Sequence, residues 1–174
     1  MLARRNVFLI GPMGSGKTAV GRYLARVLRF DFRDSDAEIE RRTGVDIAYI
    51  FEKEGEAGFR VRERDTIAEL TLLEPIVLAT GGGAILHPDN RRVLAERGRV
   101  VWLQASVNQQ MERTRHGRHR PLLLDTDPRT RLDELTRERE PLYTEIADVA
   151  VRTDGRRVQA VADDILRALG ETAG

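Results

Sequence analysis

The sequence predicts an α/β fold, a five-stranded parallel sheet with helices on both faces. Three observations point there. Short apolar runs recur along the 174 residues, at Val7–Ile10, Ile76–Ala79, Val100–Leu103 and Val149–Val151. They are continuous rather than alternating, as expected of strands buried on both faces. Helix-patterned segments lie between them, and strands alternating with helices imply parallel pairing. A glycine-rich loop joins the first run directly to the first helical pattern.

Taken in order, Val7–Ile10 is the first strand. Lys17 to Leu28 follows as a helix, with Val20, Leu24, Val27 and Leu28 on one face. A weaker strand falls at Phe30–Arg33, and Ala37–Arg42 reads as a short helix. After Ile76–Ala79, a helix over Asp89–Arg97 opens behind His87 and Pro88 and closes at Gly98. Arg91 and Arg97 are expected on its solvated face. Trp102, inside the apolar run Val100–Leu103, is expected in the core. Ser106 caps a helix running to about Arg115. Past Val149–Val151, a last helix from Val158 places Val161, Ile165, Leu166 and Leu169 on one face. No repeat, low-complexity tract or linker divides the chain, so residues 1–174 are read as one domain.

Composition narrows the function classes. With 41% hydrophobic and 33% charged residues, the chain reads as a globular domain that needs no cross-links. It has no cysteine, which removes disulfides, thiol nucleophiles and cysteine-ligated metal centres together. The apolar run near the start is four residues long, too short for a signal peptide or a membrane span, so a cytoplasmic protein is expected. A net charge of +1 provides no field to draw nucleic acid or acidic lipid. Lys17 and Lys53 are the only lysines among 29 cations, leaving 27 arginines. Codon usage explains that excess, or else some arginines were selected for forked recognition of carboxylate and phosphate.

Function is legible in the strand-to-helix loops, where ligands of open parallel sheets bind. Gly11-Pro12-Met13-Gly14-Ser15-Gly16-Lys17-Thr18 matches the phosphate-binding pattern G-x-x-x-x-G-K-[ST] in full, between strand and helix. Backbone N–H groups of Gly14, Ser15, Gly16, Lys17, Thr18 and Ala19 are placed for nucleotide phosphate, at the positive end of a helix. Lys17 is assigned to the β- and γ-phosphates and Thr18 to Mg²⁺. An Asn-Lys-x-Asp element for guanine is absent, since neither lysine follows an asparagine, so ATP is the expected nucleotide. Asp34 and Asp36 end the second strand two residues apart. Asp34 is assigned to Mg²⁺, directly or through water, and Asp36 to accepting a hydroxyl proton. The competing reading is that one of them caps the next helix. Thr80-Gly81-Gly82-Gly83 follows the third strand and allows a ligand close to free N–H donors. No acid ends that strand, which favours Asp34 for the metal.

These elements together resemble the shikimate kinase family of small P-loop metabolite kinases. The phosphate loop, Asp34-Ser35-Asp36, Gly58-Phe59-Arg60, Thr80–Gly83, Arg120-Pro121-Leu122-Leu123 and Glu138–Tyr143 occur in that family's order, from residue 11 to 143. The resemblance implies a P-loop kinase fold with substrate-binding helices at about 35–62 and a mobile lid at about 113–126. It implies catalytic roles for Lys17, Asp36 and Arg120. It also implies that Arg60 and Arg139 clamp the shikimate carboxylate, that Gly81, Gly82 and Gly83 line the ring site, and that Arg113, Arg120 and Arg156 contact ATP. His116 and His119 are expected exposed in the lid. The reaction implied is transfer of the γ-phosphoryl group of MgATP to the 3-hydroxyl of shikimate by a monomer. The alternatives are a gluconate or nucleoside monophosphate kinase on the same scaffold, or a nucleotide switch or nucleic-acid-binding module using the arginine-rich lid.

Overall fold

A computed structural model describes residues 6–114 and 127–170. The elements are β1 (Val7–Ile10), α1 (Lys17–Leu28), β2 (Asp31–Asp34), α2 (Ser35–Thr43), α3 (Ile47–Leu70) and β3 (Ile76–Ala79). They continue with α4 (Pro88–Arg97), β4 (Arg99–Gln104), α5 (Val107–Thr114), α6 (Pro128–Ile146), β5 (Val149–Arg152) and α7 (Val158–Ala168). The five strands form one parallel sheet in the order β2-β3-β1-β4-β5. Its carboxyl edge carries every loop singled out above.

Burial explains the apolar runs. Val7 and Leu9 point into one core with Leu24, Val161 and Ile165, while Phe8 and Ile10 point into the other with Ile67, Leu94 and Val100. A central strand covered by helices on both faces must therefore be apolar at every position. The two edge strands depart from this. In β5, Val149 is half-buried and Ala150 exposed, so the expectation of burial on both faces fails there. β2 has no fully buried residue, which is why its signal is weak.

Local rules set the helix ends. His87 Nδ1 accepts from Asp89 N–H at 3.0 Å with Pro88 in the first turn, as its sequence implies. Ser106 Oγ likewise accepts from Gln109 N–H at 3.1 Å. α2 begins at Ser35 rather than Ala37, because Asp34 Oδ1 accepts from Asp36 N–H at 2.9 Å and Ala37 N–H at 3.1 Å. α3 runs to Leu70, beyond the expected limit of 62, and bends at Gly55, where φ is 73°.

Two expectations about side chains are corrected. Arg91 Nη1 donates to the carbonyls of Ile85 at 2.8 Å and Leu86 at 3.1 Å, and its Nε pairs with Glu145 at 3.0 Å. Arg97 Nη1 donates to Ala68 O and Thr71 Oγ1, both at 2.9 Å. Both tie α4 to its neighbours and are partly buried. Trp102 packs against the second core with part of its surface and stacks on Tyr143, ring centroids 5.5 Å apart at 26°. Of the expected lid, Arg113 and Thr114 end α5; residues 115–126, with His116, His119 and Arg120, lie outside the described residues. No helix among the described residues is long and apolar enough to cross a membrane.

Candidate active site

The phosphate loop leaves β1 and enters α1 through Gly14 and Gly16, at φ 78° and 89°. That left-handed backbone suits glycine and turns successive N–H groups inward. Lys17 Nζ lies along the loop, donating to Gly11 O at 2.6 Å and Pro12 O at 2.8 Å. The Ser15 side chain is enclosed, and its N–H points to Pro12 O at 3.3 Å. Ala19 is exposed in the first turn of α1. Arg113, also exposed, comes from α5 and reaches over the loop: a Cβ at Gly16 would meet its Nη1 at 2.8 Å.

Thr18 and Asp34 are brought together, with Thr18 Oγ1 donating to Asp34 Oδ2 at 3.1 Å. The two sequence readings of Asp34 are thus compatible, since Oδ1 caps α2 while Oδ2 faces Thr18. A hydroxyl and a carboxylate are hard oxygen donors suited to Mg²⁺, an ion that keeps several waters and is shared with substrate phosphates. No group of three or more His, Cys, Asp or Glu side chains placed to hold a metal occurs among the described residues.

Beyond the phosphate loop lies a charged cluster built on the β3 loop and the helices α2, α3 and α6. Asp36 Oδ1 and Glu63 Oε2 are enclosed without a hydrogen-bond partner, and both approach Gly81, where a Cβ would meet them at 2.9 and 3.0 Å. Burial pushes the Asp36 carboxyl up to about 7; Glu63 and Asp34 push the same way, opposed by Lys17 and Arg60. Burial also raises the Glu63 carboxyl, against the pull of Arg60 and Arg139.

Arg60 Nη1 donates to Glu63 Oε1 at 2.8 Å, and Nη2 to Glu56 Oε1 at 3.2 Å. The guanidinium lies flat on Gly83, so close that a Cβ there would sit 2.5 Å from Cζ and 2.6 Å from Nη1. Arg139 is 3% exposed, and its Nη1 lies 3.4 Å from where a Gly82 Cβ would be. Burial and the neighbouring Arg60 lower its pKa, although a guanidinium keeps its charge at neutral pH. Tyr143 donates its hydroxyl to Gly82 O at 2.9 Å, and burial pushes that phenol upward, so it remains a donor.

The predicted residues Asp36, Arg60, Gly81, Gly82, Gly83 and Arg139 therefore converge. Gly81 departs from the expectation of a free N–H donor. Gly81 N–H is taken by Ser35 Oγ at 3.2 Å, and Gly83 is a platform for Arg60. Glu63 was missed, although its place three residues after Arg60 on a helix is a readable signal. Arg156 stands apart: it pairs with Asp164 at 2.7 Å and donates to Arg152 O and Ala160 O. Arg120 lies outside the described residues.

A nucleotide phosphate delivered toward a hydroxyl, beside a fork that grips a planar anion, is the chemistry of a P-loop kinase acting on a small metabolite. The family model described as shikimate kinase matches residues 13–170. A shikimate kinase of Nitrosococcus oceani is 56% identical over 97% of this chain and 89% of its own length. One of Methylococcus capsulatus is 56% identical over 97% of this chain and 94% of its own. The structure of shikimate kinase from Acinetobacter baumannii in complex with shikimate superposes with a TM-score of 0.93, at 48% identity, over 95% of this chain and 92% of that one. The chain belongs to the shikimate kinase family.

Proposed function

We propose that this protein transfers the γ-phosphoryl group of ATP to the 3-hydroxyl of shikimate. The observation that carries this reading is the placement of two largely buried arginines, Arg60 and Arg139, around the glycine triplet beside Asp36. A ring carboxylate meets both guanidiniums, each charge-assisted contact contributing about 1.5–3 kcal/mol. The far edge of the ring then presents a hydroxyl to Asp36. That carboxyl, near 7, takes the hydroxyl proton as the oxygen forms its bond to the γ-phosphorus and the bond to the ADP oxygen breaks.

Lys17 follows the charge on the phosphates, exchanging its loop carbonyls for the nucleotide oxygens. The loop amides from Gly14 to Ala19 hold the β-phosphate. Thr18 and Asp34 are the protein groups that would hold Mg²⁺, Asp34 directly or through water, and the ion would supply charge neutralisation for the nucleotide phosphates. Arg113 closes the nucleotide side from α5, Arg156 stacks at the base, and Arg120 is assigned to the transferring group. The whole chain acts as one domain, monomeric and cytoplasmic, with no nucleic-acid partner at a net charge of +1.

The test is ADP release measured side by side with shikimate, quinate, gluconate and AMP. Turnover with shikimate at least tenfold above the others supports the reading. Preferential turnover of gluconate or AMP replaces it with the corresponding kinase on the same scaffold.

A further inference from the structure

A cavity of about 310 Å³ opens between Pro12 and Met13 of the phosphate loop, the end of β4 and the inner face of α6. Asp36, Arg60, Glu63 and Gly81–Gly83 are not among the described residues that line it, so it is a different space from the acceptor pocket. Its walls have three characters. Trp102 and Tyr143, stacked on each other, form an aromatic face, and Leu132 and Leu135 form an aliphatic one. Two of the lining side chains also carry a buried donor with no hydrogen-bond partner, Arg139 Nε and Trp102 Nε1. Leaving such donors unpaired is costly, and a native interior rarely tolerates it without a reason. At the rim, Arg152 adds a cation, while Glu140 and Asp154 set a limit on negative charge.

We infer that this cavity is a second ligand site, for a small single-ring aromatic monocarboxylate, coupled to the acceptor pocket through Arg139 and Gly82. The volume suits one ring and one substituent, being about twice the 150 Å³ that accepts benzene in an apolar protein cavity. The flat ring matches the Trp102–Tyr143 face, and a single carboxylate matches the unpaired donors without crowding the acidic rim. The coupling is local. Tyr143 bonds Gly82 O, and Arg139 Nη1 and Met13 N lie 3.4 and 3.3 Å from the Gly82 Cβ position, so three wall residues meet at one glycine of the acceptor pocket. A carboxylate that draws Arg139 toward the cavity weakens its fork on the acceptor.

Trp102 is the only tryptophan, so its fluorescence reports the cavity directly. The probe is benzoate, titrated into the nucleotide-free protein. Saturable quenching in the millimolar range is expected, with benzyl alcohol at least tenfold weaker. Thr136→Phe, on the lining but outside the catalytic machinery, fills the space and should abolish the quenching while leaving basal turnover unchanged. Should that variant not fold, contacts from the benzoate ring protons to the Leu132 and Leu135 methyls, and not to the α-protons of Gly81 and Gly82, make the same distinction by NMR. Benzoate should also raise the KM for shikimate at least threefold in the wild type and not in Thr136→Phe. That kinetic arm rests on the proposed activity; the fluorescence arm does not. Failure to turn over shikimate leaves the site standing, whereas absent quenching in an active enzyme overturns it alone. Quenching that survives Thr136→Phe and is displaced by shikimate also overturns it, by placing benzoate in the acceptor pocket.

Discussion

Gly83→Ala isolates what the glycine triplet does. Gly83 has φ −95° and ψ 2°, a turn backbone with negative φ that alanine can adopt, so the substitution adds little conformational strain. Its new methyl instead lands 2.5 Å from Arg60 Cζ and 2.6 Å from Nη1, so the guanidinium must move by about an ångström to restore van der Waals contact. The far end of a long side chain can make that move, and the fold should survive with little loss. The acceptor site should not. Displacing Arg60 breaks the 2.8 Å bond to Glu63 and removes one prong of the carboxylate fork. At about 1.5–3 kcal/mol for a charge-assisted contact, the shikimate KM should rise roughly 10- to 150-fold. The ATP KM should stay within about twofold, because none of the phosphate loop is touched. Steady-state kinetics with each substrate varied separately reads both numbers. In a cycle with Arg60→Ala, the double variant should be no worse than Arg60→Ala alone. An unchanged shikimate KM in Gly83→Ala, or full additivity in the cycle, refutes the platform role.

Four further outcomes are expected. Asp36→Asn should reduce kcat by two orders of magnitude or more with the ATP KM nearly unchanged, since an amide cannot take the proton; near-normal kcat would remove Asp36 from the chemistry. The same variant bears on stability. Asp36 is raised to about 7, so it stabilises the fold fully below the unfolded value near 3.8 and loses that contribution as pH rises through 7. Asp36→Asn should therefore raise Tm relative to wild type at pH 8.5 and less so at pH 5, as a thermal melt at each pH will show. Glu63→Gln removes one of the charges that raise Asp36, so the acid limb of the kcat/KM profile should move to lower pH while the shikimate KM rises; a limb that stays in place separates the two carboxylates. Arg139→Lys keeps the charge but loses the planar fork, and should raise the shikimate KM about tenfold, with a shikimate analogue lacking the carboxylate discriminating far less between variant and wild type.

The sheet was legible because its central strands are apolar at every position, and that signal fades where burial does. β1, β3 and β4 lie at the centre and were read to within a residue at each end. Edge strand β2 was only a weak signal. α3 and α6 were not readable as whole helices. α3 is interrupted by Gly55 and Gly58, and α6 carries Pro141 in its interior, each a residue that ordinarily ends a helix. The phosphate side of the site was legible from one contiguous motif. The acceptor side was not, because its residues come from α2, α3, the β3 loop and α6, and only the resemblance brought Arg60 together with Arg139. Glu63 escaped because a buried carboxylate in a run of alternating charges looks like any solvated face. Its meaning comes from Asp36 and Gly81, distant in sequence and adjacent in space.

Codon usage and recognition each offer a reason for the arginine excess, and the structure divides it differently. Arg41 and Arg62 pair with Glu38 and Glu54 at the surface, where lysine would serve nearly as well. Arg60 and Arg139 face the acceptor pocket. A third group belongs to neither class: Arg91 reaches two carbonyls with one nitrogen and Glu145 with another, Arg97 bridges Ala68 and Thr71, and Arg156 joins two carbonyls to Asp164. These contacts need a rigid fork with several donors at fixed angles, which an ammonium on a flexible stem does not offer. The third group holds α4 against α3 and α6, and the 152–157 loop against α7. α3 and α6 are the helices that bring Arg60 and Arg139 to the same three glycines. The proposed carboxylate fork therefore depends on Arg91 and Arg97, which make no proposed substrate contact, and composition alone could not distinguish the two kinds, because the same planar geometry serves both.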